Sequence, residues 1–263
     1  MAVFTAVDDA VMRAWVAAAG AGAVDELRPT EGGVANSNWF VRTERGRFVL
    51  TLFERQARDD AERTLALTAA LADAGLEVAA PWPQSGGWTA PLAGKPAALA
   101  AWLDGAHPLE PTRAQCAAIG GFLGRLHGVT MTDATSGVIH SDLFRDNALF
   151  DGDTLVGVID FHFAHPGALI DDVAATVLDW CWGGGGIDPG RLAALGHAYA
   201  AVRPVTNEER YAFPASLRAA AHRFWQSRLA DPRRTKDPDE MRARVDALAA
   251  QAPPFPRAGA AYS

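Results

Sequence analysis

His140-Ser141-Asp142-Leu143-Phe144-Arg145-Asp146-Asn147 follows a short apolar run, and Ile159-Asp160-Phe161 comes soon after it. Phosphoryl transfer to an alcohol needs a carboxylate to orient and accept the hydroxyl proton. It also needs oxygen ligands that hold Mg2+ on the phosphates, and an attacking oxygen in line with phosphorus. An H-x-D-x-x-x-x-N loop followed by a strand-borne aspartate supplies those groups. Asp142 is therefore the candidate base, and Asn147 and Asp160 are the candidate metal ligands. The hard Mg2+ ion prefers a few protein oxygens together with phosphate and water. His140 is read as a structural hydrogen-bonder of the loop, with a catalytic role as the alternative. Asp172 is read as a brace of the same loop, with a plain surface acid as the alternative.

Working outward from this loop, Ala148 to Phe150 and Leu155 to Ile159 flank the turn Asp151-Gly152-Asp153 and predict a hairpin. Downstream of Asp171 the pattern is mostly helical, broken at Gly183 to Gly186 and punctuated by prolines. Upstream, Gln115 to His127 predicts a helix with Ile119, Leu123 and Leu126 on one face. Asp8 to Ala19 predicts another, with Val11, Trp15 and Val16 inward. Asp59 to Ala74 predicts a third, ended by Gly75. Trp39 to Val41 and Arg47 to Phe53 read as a hairpin, and Ala97 to Leu103 as a strand running into a connector. Strands first and helices later give an α+β, two-lobed plan, divided as 1–103 for nucleotide and 104–263 for catalysis and acceptor binding. The tail from Pro253 onward reads as loose.

The N-terminal hairpin is the candidate phosphate cover. Gly32 and Gly33 permit close backbone approach, and Asn36, Ser37 and Asn38 offer hydrogen bonds. An ordinary hairpin is the alternative. The formal charge is -7 and the 263-residue chain has two lysines, Lys95 and Lys236, which argues against nucleic-acid binding. Cys116 and Cys181 form no CxxC pattern and read as buried free thiols. The first residues lack a basic start before an apolar run, so no signal peptide is read, and no apolar stretch is long enough to span a membrane. The expectation is a cytoplasmic protein whose partner is a small molecule.

These residues resemble homoserine kinases related to the aminoglycoside phosphotransferases and choline kinases, which share the protein-kinase-like fold. The likeness extends to Glu31-Gly32, Asn36-Ser37-Asn38, Phe48 to Leu52, Gly94-Lys95-Pro96-Ala97 and Gly124-Arg125-Leu126-His127. It continues through His140 to Phe150, Asp179-Trp180-Cys181, Arg223-Phe224-Trp225 and Ser227-Arg228-Leu229. The resemblance implies transfer of the γ-phosphate of ATP, with Mg2+, to the side-chain hydroxyl of L-homoserine. It also places Thr51 where kinases commonly carry a phosphate-binding lysine. A zwitterionic acceptor calls for a cation to meet its carboxylate. Arg145, Arg223 and Arg228 are candidates, each with a surface or packing role as the alternative. Trp180 and Trp225 could wall the pocket or belong to the core.

The chain departs from the family pattern in other places. Asp171 and Leu178 stand where tyrosine and asparagine are usual. Only Gly128 to Ile139 lie between the leucine-histidine helix and the loop, where the family carries several tens of residues. Either the lobe is repacked around the Gln115 to His127 helix, or the chain is an inactive form. A kinase for choline or an aminoglycoside is the other reading left open.

Overall fold

In the computed structural model, residues 5–30, 36–231 and 236–257 are described. Gly32 and Gly33 fall outside them. The chain divides between Leu103 and Asp104 into two compact units.

The first unit opens with α1 (Asp9–Ala18), capped by the Asp8 carboxylate on the Ala10 N–H at 2.9 Å. Strands β1 (Val24–Pro29), β2 (Ser37–Thr43) and β3 (Gly46–Leu52) follow, then α2 (Arg58–Asp73), β4 (Ala90–Leu92) and β5 (Lys95–Ala101). All pairings are antiparallel, in the order β1-β2-β3-β5-β4. Alternation along the strands sends Trp39, Val41, Phe48, Leu50, Leu52 and Leu99 to one face, where Met12 and Val16 of α1 close the core. Val11 is half exposed, contrary to the sequence reading. Met12 and Val16, four apart, are the pair that faces the sheet. Gly75 ends α2 at φ +81°, and the Leu76 N–H reaches back to Leu71 O.

The second unit begins with α3 (Arg113–Thr130), started by a reciprocal capping box between Thr112 and Gln115. Strand β6 (Ser136–Ile139) pairs with β9 (His165–Ala168), and β7 (Ala148–Asp151) with β8 (Thr154–Val158). Helix α4 (Leu169–Trp180) follows, then the two-residue strands β10 (Trp182–Gly183) and β11 (Gly186–Ile187), α5 (Pro189–Val202), α6 (Asn207–Ala230) and α7 (Pro238–Ala250). The β6–β9 pairing was not anticipated, because a polar and glycine-containing His-Pro-Gly-Ala segment carries no strand signal of its own.

The shortened segment proves to be a tight turn. The Asp133 carboxylate accepts from the N–H groups of Thr135 and Ser136, both at 2.9 Å, and Thr132 N–H returns to Ser136 O. The lobe is repacked on α3: Ile119, Phe122, Leu123 and Leu126 are buried, and α3 lies against α5. Gly120 and Gly124 make that approach possible. A Cβ on Gly120 would sit 2.1 Å from Leu195 O, and one on Gly124 2.7 Å from Val202 Cβ. Cys116 and Cys181 are buried free thiols that the fold brings together, and burial with the Cys116 neighbour pushes the Cys181 thiol up. The tail is packed as far as Arg257 rather than loose. Phe255 is buried edge-on to Phe213, and Arg210 donates to Pro256 O at 2.8 Å. Among the described residues no helix is long and apolar enough to cross a membrane.

Gly120→Ala should cost about 1–3 kcal/mol or more, because its methyl group meets helix backbone that cannot yield. Gly121→Ala, whose Cβ would meet only Arg125 Nη1 at 3.9 Å, should be stabilising by up to about 1 kcal/mol. Urea midpoints of the two variants give the comparison, and equal midpoints would refute the close-approach account.

Candidate active site

The loop that carries Asp142 is held by α4. Asp172 and Asp179 lie two helical turns apart on that helix and so share a face. Asp172 accepts from the His140 N–H at 2.8 Å and the Ser141 N–H at 2.7 Å. Asp179 accepts from the Arg145 N–H at 2.9 Å and Nε at 3.0 Å. Trp180 Nε1 donates to Leu143 O at 3.0 Å. Both carboxylates are buried, which alone would raise their pKa values. Hydrogen bonds outweigh burial: His127 and the His140 backbone hold Asp172 low, and Arg145 holds Asp179 low.

Asp172 has a second support. His127 Nε2 lies 3.1 Å from its Oδ2, and the other ring nitrogen is 2.9 Å from Tyr199 Oη. An ionised carboxylate only accepts, so Nε2 carries the proton and the Tyr199 hydroxyl donates to Nδ1. Arg203 donates to Tyr199 Oη at 2.8 Å and to Glu209 at 2.8 Å, and also to Ala134 O in the short turn.

Within the loop, the Asp142 N–H donates to His140 Nδ1 at 3.3 Å, so His140 Nε2 is protonated and donates to Ile159 O at 3.1 Å. His140 thus ties the two halves of the motif together. Ser141 has φ +71° and Asp160 φ +67°, left-handed values that non-glycine residues adopt at a cost of about 1–3 kcal/mol. Burial raises the Asp142 pKa, reinforced by the charges of Asp146 and Asp160 and opposed by His140 and Lys236. Asn147 donates Nδ2 to Asp142 O at 2.8 Å, which leaves its Oδ1 as the free polar atom. The Ile159 N–H to Asn147 O bond, 2.9 Å, brings the Asp160 segment alongside. Burial disfavours ionised Asp160, but its contact with His162 prevails and lowers the pKa. His162 was missed in the sequence; it follows the motif directly but belongs to no pattern used to read it.

Asn147 and Asp160 offer one amide and one carboxylate oxygen. Among the described residues no group of three His, Cys, Asp or Glu could hold a metal alone. Such a sparse, all-oxygen set fits Mg2+ that arrives on phosphates.

In the first unit, Thr51 Oγ1 donates to Asn38 Oδ1 at 2.8 Å across the β2–β3 pair, and the Glu54 N–H donates to Asn36 Oδ1 at 3.3 Å. Ser37 needs correction as a phosphate ligand. Strand alternation turns it to the opposite face from Asn38, where it is buried and donates to Glu54. Lys95 and Thr5 also meet Glu54, which burial alone would raise but these partners lower to about 2.

Three acceptor-site candidates are also corrected. Trp180 has no exposed surface and braces Leu143. Arg145 is committed to Asp179 and Leu109 O. Arg228 is committed to Glu240 at 3.0 Å and Asp237 O at 2.8 Å, joining α6 to α7. Arg223 alone of the three arginines reaches the catalytic loop without a carboxylate partner among the described residues, donating to Ser141 O at 3.1 Å.

The sequence model of the phosphotransferase enzyme family matches residues 26–136 and 131–205. The chain belongs to that family. This phosphotransferase is 37% identical over 279 residues to the homoserine kinase of Methylobacillus glycogenes, with 88% of each chain covered. It is 36% identical over 293 residues to that of Cupriavidus necator, again with 88% of each covered. Both alignments exceed the chain's own 263 residues, so the relatives carry residues that it lacks. The two pieces of the family match meet at residues 131–136, the tight turn before β6. The fold is that of a solved spectinomycin phosphotransferase, in complex with ADP and spectinomycin, at TM-score 0.66, 10% identity and coverage of 94% and 99%. A microcompartment-associated aminopropanol kinase matches at TM-score 0.65, 16% identity and coverage of 93% and 96%. The phosphotransferase thus has the protein-kinase-like fold, with an antiparallel N-terminal sheet and a mainly helical C-terminal unit.

Asp172→Asn would turn an NH2 group toward donors that need an acceptor. It should lose about 3–5 kcal/mol of stability in urea unfolding. Unchanged stability would remove Asp172 as the anchor. Glu54 is depressed in the folded state, so its contribution is present above pH 4.5 and is lost as pH falls toward about 2. The difference in stability between the wild type and Glu54→Gln should therefore shrink over that window in unfolding curves run from pH 6 downward. A constant difference would contradict the assignment.

Proposed function

We propose that this protein is a homoserine kinase, which moves the γ-phosphate of ATP to the side-chain hydroxyl of L-homoserine and yields O-phospho-L-homoserine and ADP, a step toward threonine. The observation that carries this reading is the intact Asp142, Asn147 and Asp160 set, fixed by α4 in a chain similar over 88% of its length to homoserine kinases.

Asp142 is the base. Burial holds its pKa above the usual aspartate range, which makes its carboxylate more basic than an exposed one and suits hydrogen bonding to a neutral alcohol. As the hydroxyl oxygen attacks the γ-phosphorus and the bond to the ADP oxygen breaks, the hydroxyl proton passes to Asp142. Asn147 and Asp160 are assigned as Mg2+ ligands, and the ion bound there would offset the negative charge of the phosphates. Thr51 has a positioning role. By occupying Asn38 Oδ1 it turns the Asn38 NH2 outward as a phosphate donor, partial compensation for the lysine that strand β3 lacks. Neutral donors replace a charge here, so a weaker hold on the phosphates is expected than a lysine would give.

Asp142→Asn should keep ATP binding and lose about 10²- to 10⁴-fold in kcat. Nucleotide titration alongside homoserine-stimulated ADP release would test this, and full turnover in the variant would remove Asp142 as base. Release stimulated by choline or an aminoglycoside, with none for homoserine, would overturn the acceptor assignment while leaving the kinase chemistry intact.

A further inference from the structure

Resting on the homoserine kinase reading, the search for an acceptor site leads to two cations against the catalytic loop. Arg223 of α6 spends one donor on Ser141 O, the residue before the base, and its guanidinium lies 4.8 Å from the Phe224 ring centre. Lys236, just ahead of α7, places Nζ 2.6 Å from Asp146 Oδ2 and 5.4 Å from the Phe144 ring centre. The Phe144 and Phe224 rings are 4.4 Å apart, so the two cations flank one aromatic pair beside Asp142.

Among the described residues, three other arginines near the loop are committed elsewhere. Arg145 serves Asp179, Arg244 serves Asp179 and Glu240, and Arg228 serves Glu240. The Lys236–Asp146 pair is about half exposed on both sides, at 46% and 54%. Such a pair contributes little to stability and opens at little cost. Asp146 also has no structural task in the loop that compares with those of Asp142, Arg145 or Asn147.

We propose that Lys236 and Asp146, with Arg223, form the head-group site for an α-amino acid acceptor. The zwitterion is the complement of the pair: its carboxylate takes Lys236 and Arg223, and its ammonium takes Asp146. The hydroxyl-bearing side chain then passes the Phe144–Phe224 rings toward Asp142. Two cations at this position also disfavour polycationic or quaternary-ammonium alcohols, so the site selects by repulsion as well as attraction.

The test uses the full chain and two readouts. In steady-state kinetics with L-homoserine, Lys236→Met and Arg223→Met should each raise KM about 10- to 100-fold, with a much smaller change in kcat. Lys236→Arg should recover most of the loss. In calorimetric titration, L-2-aminobutyrate, which has the head group but no hydroxyl, should bind the wild type and bind each Met variant correspondingly more weakly. Propylamine, which lacks the carboxylate, should bind the Met variants no more weakly than the wild type. Thermal unfolding confirms that each variant is folded. An unchanged homoserine KM in folded Lys236→Met, or equal loss of kcat and kcat/KM, overturns the head-group site while leaving the kinase reading in place. A wild type that binds no L-2-aminobutyrate overturns the head-group site. A wild type that turns over a different alcohol but not homoserine overturns the functional reading first.

Discussion

The geometry of the Asp142 loop depends on one helix face that carries two buried carboxylates. Asp172 and Asp179 take up the backbone N–H groups of His140, Ser141 and Arg145, so both ends of the Asp142 loop are fastened to α4. Burying two anions is costly unless every acceptor oxygen is used. Here the cost is offset by charge-assisted bonds from Arg145 and by the His127 contact. The bond from the Ser141 N–H to Asp172 helps hold Ser141 in its left-handed conformation. The backbone of the loop is therefore fastened to the C-terminal core at both ends.

That dependence explains how a short C-terminal unit can still present a complete loop. Homoserine kinases similar to this chain carry additional residues, and the family match breaks at 131–136. The remaining helix, α3, fills the interior with its apolar face and supplies His127 to Asp172. Tyr199 and Arg203 of the neighbouring α5 region, with Glu209 of α6, extend the buried chain of hydrogen bonds. Gly120 and Gly124 bring α3 close enough to α5 for that chain to close. The chain is shorter than these relatives, and its polar anchor lies within a filled apolar surround.

In the first unit the two faces of the sheet divide the labour. Leu50, Leu52 and Trp39 bury one face beneath α1, and Glu54 gathers Ser37, Lys95 and Thr5 at its end. The other face holds Asn38 and Thr51 in a cross-strand hydrogen bond, with Phe40 edge-on to Trp102 at 4.9 Å and Arg28 over the Phe40 ring. One of the chain's two lysines is thus spent on a buried glutamate. The hydrogen-bonding pair on the opposite face, Asn38 and Thr51, is neutral.

The sequence by itself determined the two-lobed α+β plan and most of its helices and hairpins, though not β1, β9 or the β10–β11 pair. Helices α2 and α3, the β2–β3 hairpin and the β7–β8 hairpin all announce themselves through periodicity and turn residues, which are local properties. Asp142, Asn147 and Asp160 could be singled out as a candidate set because the pattern that joins them is a local spacing. Tertiary structure decided what spacing cannot encode: which side chains already have partners. Arg145 and Arg228 read as either acceptor ligands or packing cations until Asp179 and Glu240 meet them from elsewhere in the chain, and burial decides for Trp180 between pocket wall and core. Ser37 looked equivalent to its asparagine neighbours, although strand alternation alone would have separated them once the strand boundary was known. Asp172 and Asp179, two turns apart in a helix whose other polar side chains are Asp171 and Thr176, were the signal available for the anchor. Their partners, like the Lys236–Asp146 pair, are separated from them by tens of residues, and only the folded chain brings them together.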